Sequence, residues 1–389
     1  MEYIPRLVEQ KLDNLLENKE ILILLGARQV GKTTMLEHVL KSDDTTLLNC
    51  IRTTDKTRLL AASKLSTEEA MRMLGNPKIL IIDEAQTFPD IGRIAQGWYD
   101  SHISTKIILL GSSSLDLLDR TAEPLTGRNQ KQFLTPLLFT ETLQTQDWYS
   151  PDLTNDFLSS NFPEQLEALL MERMVYGSYP KVVLTSNKED YLANLTSDYL
   201  LRDVLHAGLV KYPSKVRLLL ELLAHQTGSE VSLYSLSNES GISRETIDKY
   251  LDLLERSYVV FRLHAYSTNQ RKEITKGVKV FFWDTGVRNA LLENFSSSPL
   301  RTDIGELYEN WVIAEVAKRN LIEGSHKKLY FWRKTEGSEV DLVIRGTDLF
   351  EAYELKWSKK GSTKGSRSFM NTYNIPVETI NRSRVLDLI

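Results

Sequence analysis

Ile21-Leu22-Ile23-Leu24-Leu25-Gly26-Ala27-Arg28-Gln29-Val30-Gly31-Lys32-Thr33-Thr34 decides the fold, because an unbroken apolar run closes on a glycine-framed loop that opens onto a lysine and two hydroxyls. Every fixed position of the pattern G-x-x-x-x-G-K-[ST] is met. Gly26 and Gly31 let the backbone curl so that successive N–H groups point at phosphate oxygens, and the following helix adds its positive end. Gly26, Ala27, Arg28, Gln29, Val30, Gly31, Lys32, Thr33 and Thr34 are therefore the candidate nucleotide-binding set. Lys32 is expected on the β- and γ-phosphates and Thr33 on Mg²⁺. The context agrees: residues 21–25 read as a buried parallel strand, and 33–40 as a helix with apolar Met35, Leu36, Val39 and Leu40.

A second apolar run, Lys78-Ile79-Leu80-Ile81-Ile82, ends in Asp83-Glu84. At the carboxyl end of a buried strand, Asp83 is expected to hold Mg²⁺ through its water shell and Glu84 to polarise an attacking water. Lys32, Asp83 and Glu84 are the candidate catalytic residues. A third strand, Lys106 to Leu110, runs into Gly111-Ser112-Ser113-Ser114, so Ser112 and Ser113 are candidate sensors, although ordinary turn chemistry explains them equally well. Arg128, before a strand expected over 132–137, is a candidate arginine finger or sensor, with Arg28 and Arg120 as further candidates.

Working outward, 389 residues suffice for two or three domains with substantial cores. The formal net charge of −4 gives no global basic signature for nucleic acid, while leaving room for a local basic groove. Cys50 is the only cysteine, which excludes an intrachain disulfide and a zinc site built on cysteine pairs. No signal core or membrane-length apolar stretch is present, so a cytoplasmic location without membrane attachment is expected.

Beyond residue 150 the alternation of strands and helices gives way to amphipathic helices over 162–176, 191–209 and 214–225. Residues 235–251 then read as helix, glycine turn, helix, with Ser243 capping the second helix. With strands at 259–263 and 278–283 they suggest a winged helix. Ser243, Arg244, Thr246 and Lys249 are placed to approach DNA, and Arg271, Lys272 and Lys276 to form a basic wing; Glu245 and Asp248 oppose phosphate contact. A packing module is the competing reading. Farther on, Glu309 lies in a helix expected over 305–319, Asp341 opens a strand, and Glu354 and Lys356 share one face of the next. Such carboxylates with a lysine could hold a divalent metal and activate water. Spacing alone favours a plainer account, in which the carboxylates simply pair with Lys356.

The ordered set of motifs resembles prokaryotic AAA-superfamily ATPases whose C-terminal half is a domain of unknown function with a restriction-endonuclease-like fold. It includes Gly26 to Thr34, Ile82-Asp83-Glu84-Ala85-Gln86, Leu125-Thr126-Gly127-Arg128, Tyr176-Gly177-Ser178-Tyr179-Pro180, Tyr308-Glu309-Asn310, Phe331-Trp332-Arg333, Glu339-Val340-Asp341 and Glu354-Leu355-Lys356. The resemblance implies an α/β fold in three parts. These are an AAA-type P-loop core with a parallel sheet over 1–150, a helical and winged-helix region over 151–295, and a PD-(D/E)xK nuclease-like domain over 296–389. The pattern's acidic residues and lysine map onto Glu309, Asp341, Glu354 and Lys356, a second metal site. The proline-aspartate pair of the wider superfamily is absent, since Asp341 follows Val340. The resemblance thus implies Mg²⁺-dependent ATP hydrolysis coupled to DNA binding or processing. A different class of function is also compatible: a nucleotide-dependent switch that binds a protein partner, with a non-catalytic C-terminal fold. Homo-oligomerisation fits either reading.

Overall fold

The computed structural model describes residues 3–40, 44–111, 117, 121, 123–200, 213–267, 277–334, 337–358 and 364–389, with the backbone alone at 198–200 and 213. The chain divides into two compact units, Met1–Thr135 with Arg256–Tyr258, and Pro136–Glu255 with Val259–Ile389.

The first unit is built on a five-stranded parallel sheet of β1 (Ile21–Leu25), β2 (Thr45–Asn49), β3 (Ile79–Asp83), β4 (Lys106–Gly111) and β5 (Asn129–Phe133), in the order β2-β3-β4-β1-β5. β1 is buried at every residue, because β4 and β5 flank it and both faces are covered, which is why it reads as a continuous apolar run. Leu80 and Ile82 of β3 and Ile107 and Leu109 of β4 pack in one core with Phe88, Ile91 and Trp98. The sheet confirms the three strands expected around the phosphate loop. The strand expected over 132–137 instead begins at Asn129, in register with Ile21, and ends at Phe133. Its residues Asn129 to Lys131 are polar, so apolarity alone misplaced an edge strand that exposes part of its surface.

The second unit carries a six-stranded mixed sheet in the order β11-β10-β9-β8-β6-β7. Its strands are β6 (Val260–Ala265), β7 (Val278–Phe282), β8 (Lys328–Arg333), β9 (Glu339–Arg345), β10 (Phe350–Leu355) and β11 (Val377–Ile380). The 20-residue helix Ile304–Glu323 buries Leu307, Tyr308, Trp311, Val312 and Ile313. They share a core with Phe281 of β7, Phe331 of β8 and Leu342 of β9. Helices Leu233–Ser240 and Arg244–Arg256 flank the left-handed Gly241, and the Ser243 hydroxyl accepts from the Thr246 N–H, as the sequence suggests. The two strands expected beside them, β6 and β7, pair antiparallel, and β6 also pairs parallel with β8, so they belong to the same sheet as the C-terminal strands. Of the helix expected over 191–209, Lys188–Asn194 is α-helical and Leu195–Leu200 a π-turn; 201–212 lies outside the described residues.

Candidate nucleotide site and carboxylate cluster

The loop after β1 turns where its sequence demands. A Cβ on Gly26 would lie 1.9 Å from the Leu134 carbonyl oxygen, so only glycine lets the chain leaving β5 pass this close. Gly31 has φ +94°, a left-handed conformation at the N-cap of helix Lys32–Val39. Lys32 Nζ donates to the carbonyls of Gly26 (2.8 Å) and Ala27 (3.0 Å), which folds its buried side chain back over the loop. Thr33 Oγ1 donates to Asp83 Oδ2 at 3.1 Å across the sheet edge. Lys32, Thr33 and Asp83 are thus brought together at the carboxyl ends of the parallel strands.

Asp83 is itself held on several sides: Asn49 Nδ2 donates to Oδ2 at 3.1 Å, and the Glu84 N–H to Oδ1 at 2.8 Å. Burial, reinforced by the Glu84 carboxylate, pushes the Asp83 carboxyl above its usual range, while the Thr33 hydroxyl, the Glu84 N–H and Lys32 pull it partway back. Glu84 sits in a left-handed conformation, φ 52°, and Gln86 Nε2 donates to its Oε2 at 2.6 Å, fixing the carboxylate beside Asp83. A hydroxyl and a hydrogen-bonded carboxylate on one locus form an oxygen donor set that suits Mg²⁺.

Sequence reasoning missed three of these residues. Arg6 is buried, and its guanidinium donates to the carbonyls of Val30 (2.9 Å) and Thr135 (2.6 Å), tying the loop to the end of β5. Asn49 and Gln86 orient the two carboxylates. No signal marked Arg6 or Asn49, since neither lies in a motif; Gln86 stood in the quoted Asp83-Glu84 stretch without a role.

Arg128 requires a correction as a sensor for its own chain's loop. Its carbonyl accepts from the Ile21 N–H at the start of β1, while the phosphate loop follows the end of that strand, about 16 Å away for five residues. Its guanidinium pairs with Asp100 at 2.7 Å instead. The displaced start of β5 is the reason. Ser112, Ser113 and Arg120 lie outside the described residues, as do Arg271, Lys272 and Lys276.

In the second unit Asp341, Glu354 and Lys356 converge. Lys356 Nζ lies 2.8 Å from Asp341 Oδ2 and 3.0 Å from Glu354 Oε2. The Leu355 N–H donates to Asp341 Oδ2 and Ser366 Oγ to Glu354 Oε1. Glu309 joins from the long helix and Glu339 from β9, so that Glu309, Glu339 and Asp341 each offer an oxygen within 4.8 Å of one another. Two members were not anticipated, Glu339 and Lys279. Lys279 Nζ stands 2.9 Å from Glu309 Oε1 and 2.5 Å from Glu339 Oε1. A divalent ion here would have to share Glu309 Oε1 and Glu339 Oε1 with that ammonium. Among the described residues no helix is long and apolar enough to cross a membrane.

A lysine-bearing phosphate loop after an interior strand of a parallel sheet, with an aspartate at the end of a strand beyond its neighbour, is the arrangement of an AAA-type P-loop ATPase. Residues 18–143 match the family described as "AAA domain", which places the first unit in that class. Residues 167–298 and 304–386 match two domains of unknown function, DUF8612 and DUF4143. The chain is 25% identical over 352 residues to the uncharacterized protein Rv2008c of Mycobacterium tuberculosis, covering 89% of this chain and 72% of that one. It is 26% identical over 374 residues to the uncharacterized protein MJ1544 of Methanocaldococcus jannaschii, covering 92% and 79%. Among solved structures, the Walker-type ATPase PABY2304 of Pyrococcus abyssi shares the fold, with a TM-score of 0.51 at 19% identity over 75% of this chain and 96% of that one.

Proposed function

We propose that this protein is a Mg²⁺-dependent ATPase whose nucleotide state governs DNA binding or processing by residues 151–389. The observation that carries the hydrolytic part is the meeting of Thr33 and Asp83 at 3.1 Å beside Lys32, with Glu84 held by Gln86. Mg²⁺ bound with ATP would supply charge neutralisation at the transferring phosphoryl group. Thr33 and Asp83 would hold that ion, and the loop N–H groups of Gly26 to Thr34 would orient the phosphates. Lys32 would exchange its carbonyl partners for phosphate oxygens. Glu84 would accept a proton from the attacking water and release it before the next turnover. On this reading residues 1–150 form the ATPase segment, 151–295 a winged-helix adaptor whose β6 and β7 join the sheet of the nuclease-like segment, and 296–389 the rest of that segment. The glycine turn at Gly241 and the Ser243 cap support the adaptor.

One observation favours a second reading, a nucleotide-dependent switch that binds a protein partner. On helix Arg244–Arg256, Asp248, Asp252 and Glu255 all turn to Arg262, and Asp248 and Asp252 keep more than half of their side-chain surface exposed. Such a face repels phosphate. Steady-state ATP hydrolysis, with and without single-stranded, duplex and branched DNA at two salt concentrations, separates the readings. DNA stimulation that weakens with salt supports coupling to DNA, because phosphate contacts release counterions. Turnover indifferent to every DNA selects the protein-partner switch. Undiminished turnover by Lys32→Ala would remove the ATPase assignment altogether.

A further inference from the structure

The carboxylate cluster contains two lysines, and they divide it between them. Lys356 takes Asp341 and Glu354, and Lys279 takes Glu309 and Glu339. Lys356 keeps 30% of its side chain exposed, whereas Lys279 keeps 2%. Lys279 also lies 5.3 Å from the centroid of the Phe331 ring, so one side of its ammonium faces an aromatic wall. β7 fixes its backbone, paired to β6 at Leu263, and Asn310 of the long helix clamps the Phe282 N–H and carbonyl farther along the same strand. This side chain has little freedom to swing aside.

We infer that Lys279 is a built-in cation that stands where the cluster would otherwise take a divalent metal, so that Glu309, Glu339 and Asp341 bind no such ion in the native protein. The three oxygens within 4.8 Å would suit a divalent ion if the ammonium were gone. With it in place, ion and ammonium would compete for Glu309 Oε1 and Glu339 Oε1 and repel each other at contact distance. The trio is then an ion-paired cluster rather than a metal-holding one. This deepens the nuclease-like reading of residues 296–389 by denying it a metal, and it is independent of the ATPase reading.

The test is a Mn²⁺ titration of the nucleotide-free full-length protein, followed by electron paramagnetic resonance of free Mn²⁺, for wild type, Asp341→Asn, Lys279→Met and Lys279→Met/Asp341→Asn. Wild type and Asp341→Asn should be indistinguishable. Lys279→Met should gain a site binding at least about tenfold tighter than anything in wild type, a difference of about 1.4 kcal/mol, and Asp341→Asn should abolish it. Should Lys279→Met fail to fold, Lys279→Gln removes the charge while keeping all three carboxylates and is read the same way. An Asp341-dependent Mn²⁺ site in wild type overturns the inference whether or not the variants fold, as does a folded Lys279→Met that gains none. Loss of ATP turnover in Lys32→Ala is measured separately, so failure of the ATPase reading leaves this result interpretable.

Discussion

Glu84 and Asp83 are neighbours with different work, and their surroundings separate them. Asp83 is buried against Thr33 and Asn49, while Glu84 turns through a left-handed backbone to meet Gln86. Replacing Glu84 with Gln keeps its shape but removes the base proposed here, so ATP affinity should persist while turnover falls by about 10²- to 10⁴-fold. Equilibrium binding of a fluorescent ATP analogue beside single-turnover hydrolysis reads both; a variant that still turns over points to another base. The raised carboxyl of Asp83 has a pH signature. On the proposed reading Asp83 holds Mg²⁺ only when ionised, and burial with Glu84 favours its protonated form, so activity should be lost on acidification while the pH is still above the usual aspartate value of about 3.9. The acid limb of kcat/KM against pH reports it, since that ratio follows the free enzyme. At this scale the placement was most legible in the sequence: Gly26, Gly31, Lys32 and Thr33 stand in one motif, and Asp83 meets Thr33 at the strand ends as expected. Asn49 was not, because its role exists only once Asn49 of β2 and Asp83 of β3 sit in register.

Between elements, the phosphate loop depends on a residue outside any motif. Arg6 precedes the first helix, Glu9–Glu17, yet its guanidinium spans Val30 at the loop and Thr135 beyond β5. Removing it leaves two buried carbonyls without that donor, which costs about 1–3 kcal/mol. Arg6→Ala should therefore lower the denaturation midpoint and also weaken nucleotide binding, because the loop that it braces contributes the phosphate contacts. Arg6→Lys should restore part of the stability, since one ammonium cannot reproduce a two-armed guanidinium. Nucleotide affinity unchanged in Arg6→Ala would show that the loop keeps its shape unaided. Elements themselves were read well where periodicity is strong, as in β1, β3 and the helix Ile304–Glu323. β5 was misplaced because a polar edge strand carries little apolar signal, and that shift is what carries Arg128 to the far end of the sheet.

Across the whole molecule, the second unit shows why sequence order is a poor guide to packing. β6 and β7 precede the long helix, and β8 to β11 follow it, yet all six form one sheet. No local pattern announces the parallel pairing of His264 and Ala265 with Tyr330 and Phe331, since each strand is equally apolar in isolation. A fragment of residues 296–389 therefore lacks the strands that cover Phe331 and the long helix. It also leaves Asn310 without the Phe282 backbone and Glu309 without Lys279. One uncompensated buried charge costs about 3–5 kcal/mol, a large share of the roughly 5–15 kcal/mol that stabilises a domain. The fragment should accordingly show no cooperative unfolding and poor near-ultraviolet dichroism. Residues 136–389 retain the complete sheet and should unfold cooperatively. If 296–389 alone gave a sharp denaturant transition with dispersed amide resonances, β6 and β7 would be an accessory to that sheet rather than part of what folds it.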